Sequence, residues 1–424
     1  MNETEFSQKR IRLVLFATLI LSFTYVCMTK YCFSSAMVFI VDEGYMTNFQ
    51  TGLISSAFWL VYAISQLFGG LIADKWHPER LITFGLVCAG VANVVVFLCY
   101  ENYVLTLVIW MLNGLCQFGV WPAVFKIISA MYSGNKLTRA MMMATLATPA
   151  GLMVNYILAA LLPCWQDNFV VSFVGLFVIA ALWEITSRAS KGYIDSLHLT
   201  KEHHSKNKVP VETKEKDNNI PMLKLLLISG LVFIFALAFM RSVIEYVKNM
   251  VPSMIEASYE QVDPSMSTLM TLIPLFCGAA APIFSSVLAQ KTENEMKIVT
   301  LIFSLMLPVG LVTLLLGQVS YWIIIGAMAL IIFGAGATTF FITTIIATRF
   351  NKWGKGATVA GLLNACAATG NVVASALMTW IADNFGWHRS LTVLVIFMSV
   401  TFVISLIELP IWRRFKKNYY YEKE

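Results

Sequence analysis

Charge is scarce in this chain of 424 residues: Asp, Glu, Lys and Arg make up 13% of it, hydrophobic residues 58%, and the mean hydropathy is +0.72. Soluble domains carry about 25% charged residues, so a surface this poor in charge must face lipid over most of its area. Short chemical motifs are missing as well. There is no GxxxxGK[ST] phosphate cradle, no HExxH and no CxxC, and the eight cysteines fall mostly inside apolar segments as small packing residues. No enzyme is expected, and neither a metal nor an organic cofactor.

What remains is apolar and long. Twelve segments can cross a bilayer as helices, numbered spans 1 to 12: residues 11–41, 50–73, 81–99, 103–131, 139–162, 168–188, 222–251, 265–289, 296–317, 321–347, 356–382 and 389–411. Barrel strands would alternate over about ten residues, and these runs do not, so the expected fold is an all-α, multi-pass membrane protein. With the amino terminus cytoplasmic, inside loops and tails hold 25 of the 30 Lys and Arg, outside loops hold Lys248 and Arg389, and Lys30, Lys126 and Arg241 are intramembrane. That asymmetry implies that both termini are cytoplasmic, and a bacterial-type plasma membrane is the expected location. The net charge of +6 then belongs to loops on an anionic leaflet, with Arg413, Arg414, Lys416 and Lys417 as a helix-end anchor; no nucleic-acid partner is implied. The first apolar stretch lacks a clear cleavage site and is expected to stay as span 1.

Residues 189–221 are the long hydrophilic stretch, and they divide the spans into two sets of six. The expected organisation is a six-helix half over 1–188, a cytoplasmic linker over 189–221 and a second six-helix half with a basic tail over 222–424. Two such halves with both termini inside are what a duplicated transporter shows. Traces of the duplication remain: Gly70 to Lys75 after span 2 has a weak counterpart in Ser286 to Lys291 after span 8, and Pro149 and Gly151 of span 5 correspond to Gly361 and Gly370 of span 11.

Two cations occupy matching places. Lys30 in span 1 and Arg241 in span 7 each lie about 19 residues past the cytoplasmic start, or about 28 Å along at about 1.5 Å per residue. A charge at such depth costs about 2.5–3.5 kcal/mol and marks a functional site or a buried pair. An anionic substrate would compensate both cations; internal pairing, for example of Arg241 with Glu245 one turn later, is the alternative. Glu245 itself has three readings: a proton carrier, a partner that substrate displaces from Arg241, or a boundary residue paired with Lys248. Lys126 lies near the cytoplasmic end of span 4 and suits an interfacial or gate residue, while Trp121 and Pro122 just before it suit a kink that lines a cavity. Gln66, Asn155, Asn364 and Asn371 serve as interhelical contacts or substrate contacts. The turn GGLIADKWHPER places Gly70, Asp74, Lys75 and Arg80 at the cytoplasmic edge, as a tight solvated loop or a latch on one conformation.

This turn resembles the G-x-x-x-D-[RK]-x-x-x-x-[RK] signature of the major facilitator superfamily, in the expected loop between spans 2 and 3. Within it the chain looks like the organophosphate:phosphate antiporters, through Phe33 to Met37 with Val41 to Tyr45, Gly119 to Pro122, and Ala357 to Gly361 leading to Ala382 to Trp387. The resemblance implies two pseudo-symmetric six-helix bundles that act by alternating access, as a monomer, on phosphorylated metabolites exchanged for phosphate. It also implies that Arg241 and Lys30 grip the anion centrally, with Tyr62 of span 2 matching a family tyrosine. Gln66 stands where some members carry a second cation, and 145–151 has no histidine where glycerol-phosphate carriers have one. Lysine in place of arginine exchanges a bidentate fork for a point charge. The partners expected are therefore a small anionic metabolite, with inorganic phosphate or a proton as coupling species. Proton-coupled uptake of a carboxylate or other polar metabolite, and a ligand sensor that does not transport, are the alternatives.

Overall fold

The structure, a computed structural model, describes residues 3–196 and 222–420 except residues 76, 133, 260, 290, 291, 293, 318, 354 and 355. The side chains of 3–7, 66–75, 134, 135, 138, 344, 348, 351, 352, 356–358, 360 and 420 also lie outside the described set. Among the described residues every regular element is helical. Among these residues ten spans are long and apolar enough to cross a membrane, and an eleventh is a bent pair, Met222–Ile228 and Leu231–Asn249, meeting at 76°. Helix Asn48–Lys75 stands where span 2 is expected and completes the twelve. Leu98, Ile185, Leu227 and Leu315 are each at least 68% exposed, which suits side chains that face lipid.

Several spans are broken. Span 1 runs as Glu3–Lys30 and Cys32–Asp42, with Tyr31 between them. Span 4 runs as Tyr103–Cys116 and Val120–Met131. Pro122 has no N–H to donate to Phe118 and its ring crowds that carbonyl, so the helix gives way just before it. Span 7 breaks at Gly230, whose φ of +68° is a conformation that residues with a Cβ adopt only under strain. Span 10 is α-helical over Tyr321–Thr339 and then widens into a π-helical turn, Phe340–Ile346.

Contacts divide the chain into two compact units: Met1–Phe33 with Ile64–Lys216, and Ser34–Ala63 with Asp217–Glu424. Of the expected linker, 191–196 continue as helix and 197–221 lie outside the described residues. In the first unit span 1 packs on spans 5 and 6, and span 3 on span 6. Its core gathers Leu15, Leu19, Phe23, Leu86, Val124 and Trp183. In the second unit span 7 packs on spans 11 and 12, and span 9 on span 12, around Leu237, Ile244, Met328, Phe341 and Trp412. The same pairings thus recur six spans apart, as a duplicated sequence requires.

Two details repeat with them. Gly151 lets span 5 touch the backbone of span 1, where a Cβ would come within 2.6 Å of Met28 N, and Gly370 lets span 11 touch span 7 at Phe239 and Ser242. Trp183 of span 6 donates its indole N–H to the Glu79 carbonyl at 3.0 Å, and Trp412 of span 12 donates to Glu295 Oε2 at 3.0 Å. Glu295 also meets Arg349 at 2.6 Å and Lys416 at 3.0 Å, a buried acid held from two other helices. The segment Ser34–Ala63 is tied into the second unit by polar contacts: Asp383 accepts from the main-chain N–H groups of Asn48 and Phe49 at 3.1 and 2.6 Å, and Ser56 donates to the Val372 carbonyl at 2.6 Å.

Candidate functional site

Arg241 lies on the helix Leu231–Tyr246, which starts after the Gly230 break, and is 3% exposed. A cation so deep needs partners on every side it turns to protein. Its Nη1 donates to Glu245 Oε2 and to the Thr339 hydroxyl, and its Nη2 donates to Ser242 Oγ at 2.6 Å. Nε has no partner among the described residues. One donor of the guanidinium fork therefore stays open in a buried place.

Glu245 is shared. It sits one turn after Arg241 on the same face, and its second oxygen accepts from Lys248 at 2.9 Å. Thr339 closes the arrangement from span 10, 3.3 Å from Glu245 Oε2, where the α-helix passes into the π turn. Such turns redirect side chains and are frequent at functional sites. Two cations and one carboxylate leave the cluster one positive charge in excess. Chemically it can hold an anion.

The other expected residues fall in different surroundings. Lys30 belongs to the first unit, half-buried at the end of Glu3–Lys30 and within electrostatic reach of Cys27. Trp121 and Lys126 are also in that unit, half-buried on Val120–Met131, with Trp121 5.2 Å from the Phe23 ring. Tyr62 is in the second unit, stacked on Phe58 at 5.9 Å and edge-on to Trp59 at 5.8 Å. Arg80 is exposed and lines a cleft of about 890 Å³ with Glu79, Glu184, Arg188 and Lys191. The side chains of Gln66, Gly70, Asp74 and Lys75 lie outside the described residues.

Sequence reasoning joined Arg241 to Glu245 and considered Lys248 as a rival partner; the structure has both cations on the one acid. It missed Ser242 and Thr339. Ser242 follows Arg241 directly and was open to inspection, whereas Thr339 is one of several threonines in an apolar run and nothing in its neighbours announces a π turn.

Comparison with known proteins adds the family. The sequence profile of the Major Facilitator Superfamily matches residues 19–367. A probable hexose phosphate transport protein of Chlamydia trachomatis is 25% identical over 125 residues, 30% of this chain and 27% of that protein. The membrane sensor protein UhpC of Escherichia coli is 24% identical over 105 residues, 25% of this chain and 24% of that protein. The chain thus aligns with 24–27% of the length of these curated relatives. Among solved structures, an inward-facing, unoccupied bacterial homolog of the human lysosomal transporter Spinster superposes with a TM-score of 0.74 at 12% identity, covering 95% of this chain and 98% of that one. The peptide transporter POT in complex with sulfate gives 0.70 at 14% identity, covering 95% of each chain. At these identities the likeness is one of fold.

Proposed function

Because the chain belongs to the Major Facilitator Superfamily, we propose that it is a secondary transporter of a small organic anion, a phosphorylated sugar exchanged for phosphate. What supports this most is Arg241: a buried cation with one open donor, in a cluster carrying an excess positive charge. The similarity to hexose phosphate transport proteins points to the same class of anion. Arg241 and Lys30 grip the anion together, so that occupancy draws on both cations and the cycle is one of alternating access. The anion takes the Nη1 contact from Glu245, and Lys248 retains the released carboxylate, so no bare charge is left behind. Tyr62, Gln66 and Trp121 contribute further contacts; Gly70, Asp74, Lys75, Arg80 and Lys126 act at the cytoplasmic gate. The basic loops support cytoplasmic termini, the membrane is a bacterial-type plasma membrane on this reading, and a monomer suffices for the cycle.

Purified protein in phosphate-loaded vesicles is expected to exchange internal phosphate for labelled hexose phosphate added outside. Absence of exchange with every sugar phosphate and glycerol phosphate, in protein that ligand still stabilises against heat, leaves the sensor reading. That second reading is favoured by the similarity to membrane sensor proteins over 25% of the chain. Uptake driven by an inward proton gradient and lost in Glu245→Gln identifies proton symport instead.

A further inference from the structure

Span 12 carries one acid within its buried stripe. Leu394, Met398, Thr401, Ser405, Glu408 and Trp412 recur every three or four residues and are all buried. Glu408 is 0% exposed, and neither carboxylate oxygen has a hydrogen-bond partner among the described residues. The carboxyl group lies against Gly230, where a Cβ would stand 2.7 Å from Oε1 and closer still to Oε2. Gly230 is also the residue at which span 7 turns by 76°. The acid and the hinge therefore occupy one contact, and only a residue without a side chain fits it.

Charged groups on the elements packed around Glu408 are engaged elsewhere or exposed. On span 7, Lys224 is exposed, while Arg241 and Lys248 are bonded to Glu245. On span 9, Lys297 is exposed and Glu295 is held by Arg349, Trp412 and Lys416. On span 11, Asp383 caps the helix beginning at Asn48, and Glu256 on the short helix Val251–Ser258 is half-buried. On span 12 itself, Arg389, Arg413, Arg414 and Lys417 are exposed. Nor does Glu408 accept from the main-chain N–H groups that open the helix Leu231–Tyr246. An ionised carboxylate here would have neither solvent nor a counter-charge, a state that buried acids avoid by remaining neutral.

We propose that Glu408 is a proton-binding site at the hinge of span 7, occupied while the span is bent against it and emptied when the Gly230 contact opens. In the open form the carboxylate gains solvent, which stabilises its charge. Protons bind the bent form better, so acid favours the bend and alkali its release. Arg241 lies three turns beyond the hinge on the same span, and through it the bend reaches the anion grip; that link alone rests on the transport reading above.

The test is infrared spectroscopy of the full chain in phosphatidylcholine vesicles, titrated from about pH 5 to about pH 9. It is paired with distances between labels on Leu223 and Val232, both exposed and on opposite sides of the break. The expected result is a protonated-carboxyl C=O band that is absent in Glu408→Gln, and that disappears in the wild type with the same midpoint as a change in label distance. If Glu408→Gln does not fold, Glu408→Asp is expected to shift the band. A band absent at every pH, unmoved by either substitution, or constant while the label distance is also constant overturns the proposal. No transported anion enters the assay, so its failure is separable from failure of the transport reading.

Discussion

Glu245 lies one helical turn after Arg241 and accepts from its Nη1, while holding Lys248 at 2.9 Å with the other oxygen. The acid is a shared counter-ion, so removing different members of the cluster has different consequences.

Arg241→Ala removes the open donor together with the charge. Charge-assisted hydrogen bonds contribute about 1.5–3 kcal/mol each, so anion affinity is expected to fall about 10- to 100-fold. Ligand-induced thermal stabilisation across phosphates, carboxylates and sugars measures it. Arg241→Lys should fall between, keeping charge without the fork. Wild-type binding in both Arg241→Ala and Lys30→Ala would sink the clamp.

Glu245→Gln removes the competitor for Arg241. Tighter anion binding with slower exchange is expected, because release then lacks the carboxylate that reclaims the guanidinium. Titration of affinity alongside vesicle exchange rates decides it; weaker binding with faster exchange contradicts the displacement step.

Two glycine substitutions should separate packing from backbone freedom. Gly151→Ala drives a methyl group into the span 1 backbone at Thr24 and Met28, at a cost of about 1–3 kcal/mol. Gly361→Ala meets nothing within 4 Å and should leave stability unchanged or slightly raised. Unfolding midpoints in detergent read both.

Glu295→Ala leaves Lys416, whose side chain is 4% exposed, without its buried counter-ion. Breaking such a pair from one side costs about 3–5 kcal/mol, whereas Trp412→Phe removes a single hydrogen bond worth about 1 kcal/mol. The expected order of midpoints is wild type, Trp412→Phe, then Glu295→Ala.

Glu256, on the short helix between spans 7 and 8, has its pKa raised by burial and then by the charge of Asp42. The fold thus prefers its neutral form. Stability is fully present below the usual carboxylate pKa and is lost as pH rises from there through the raised value. Glu256→Gln should flatten this part of the pH profile; an unchanged profile excludes the acid as its source.

Much of the architecture was legible because lipid imposes a simple demand. Apolar runs of the right length located the spans, and the cost of a charge in lipid singled out Arg241, which is buried against Glu245. The breaks were less legible. Gly230 interrupts its helix, whereas Gly326 and Gly334 lie in an unbroken one in span 10. Glu408 was hidden for a related reason: an acid near a basic tail looks like a boundary residue until its buried stripe is seen. Thr339 enters the cluster through a π turn that depends on packing rather than on a local signal. Pro122, by contrast, acts within its own turn, and the helix is interrupted just before it, between Cys116 and Val120.

The cap that Asp383 places on the helix beginning at Asn48 comes from a residue 335 positions further along the chain. A growing chain therefore makes span 2 long before it makes the acid that satisfies the first amides of that helix. Until span 11 arrives, the opening turn must borrow other acceptors, from water or lipid head groups. The order of synthesis thus delays completion of that helix end until nearly the whole protein exists.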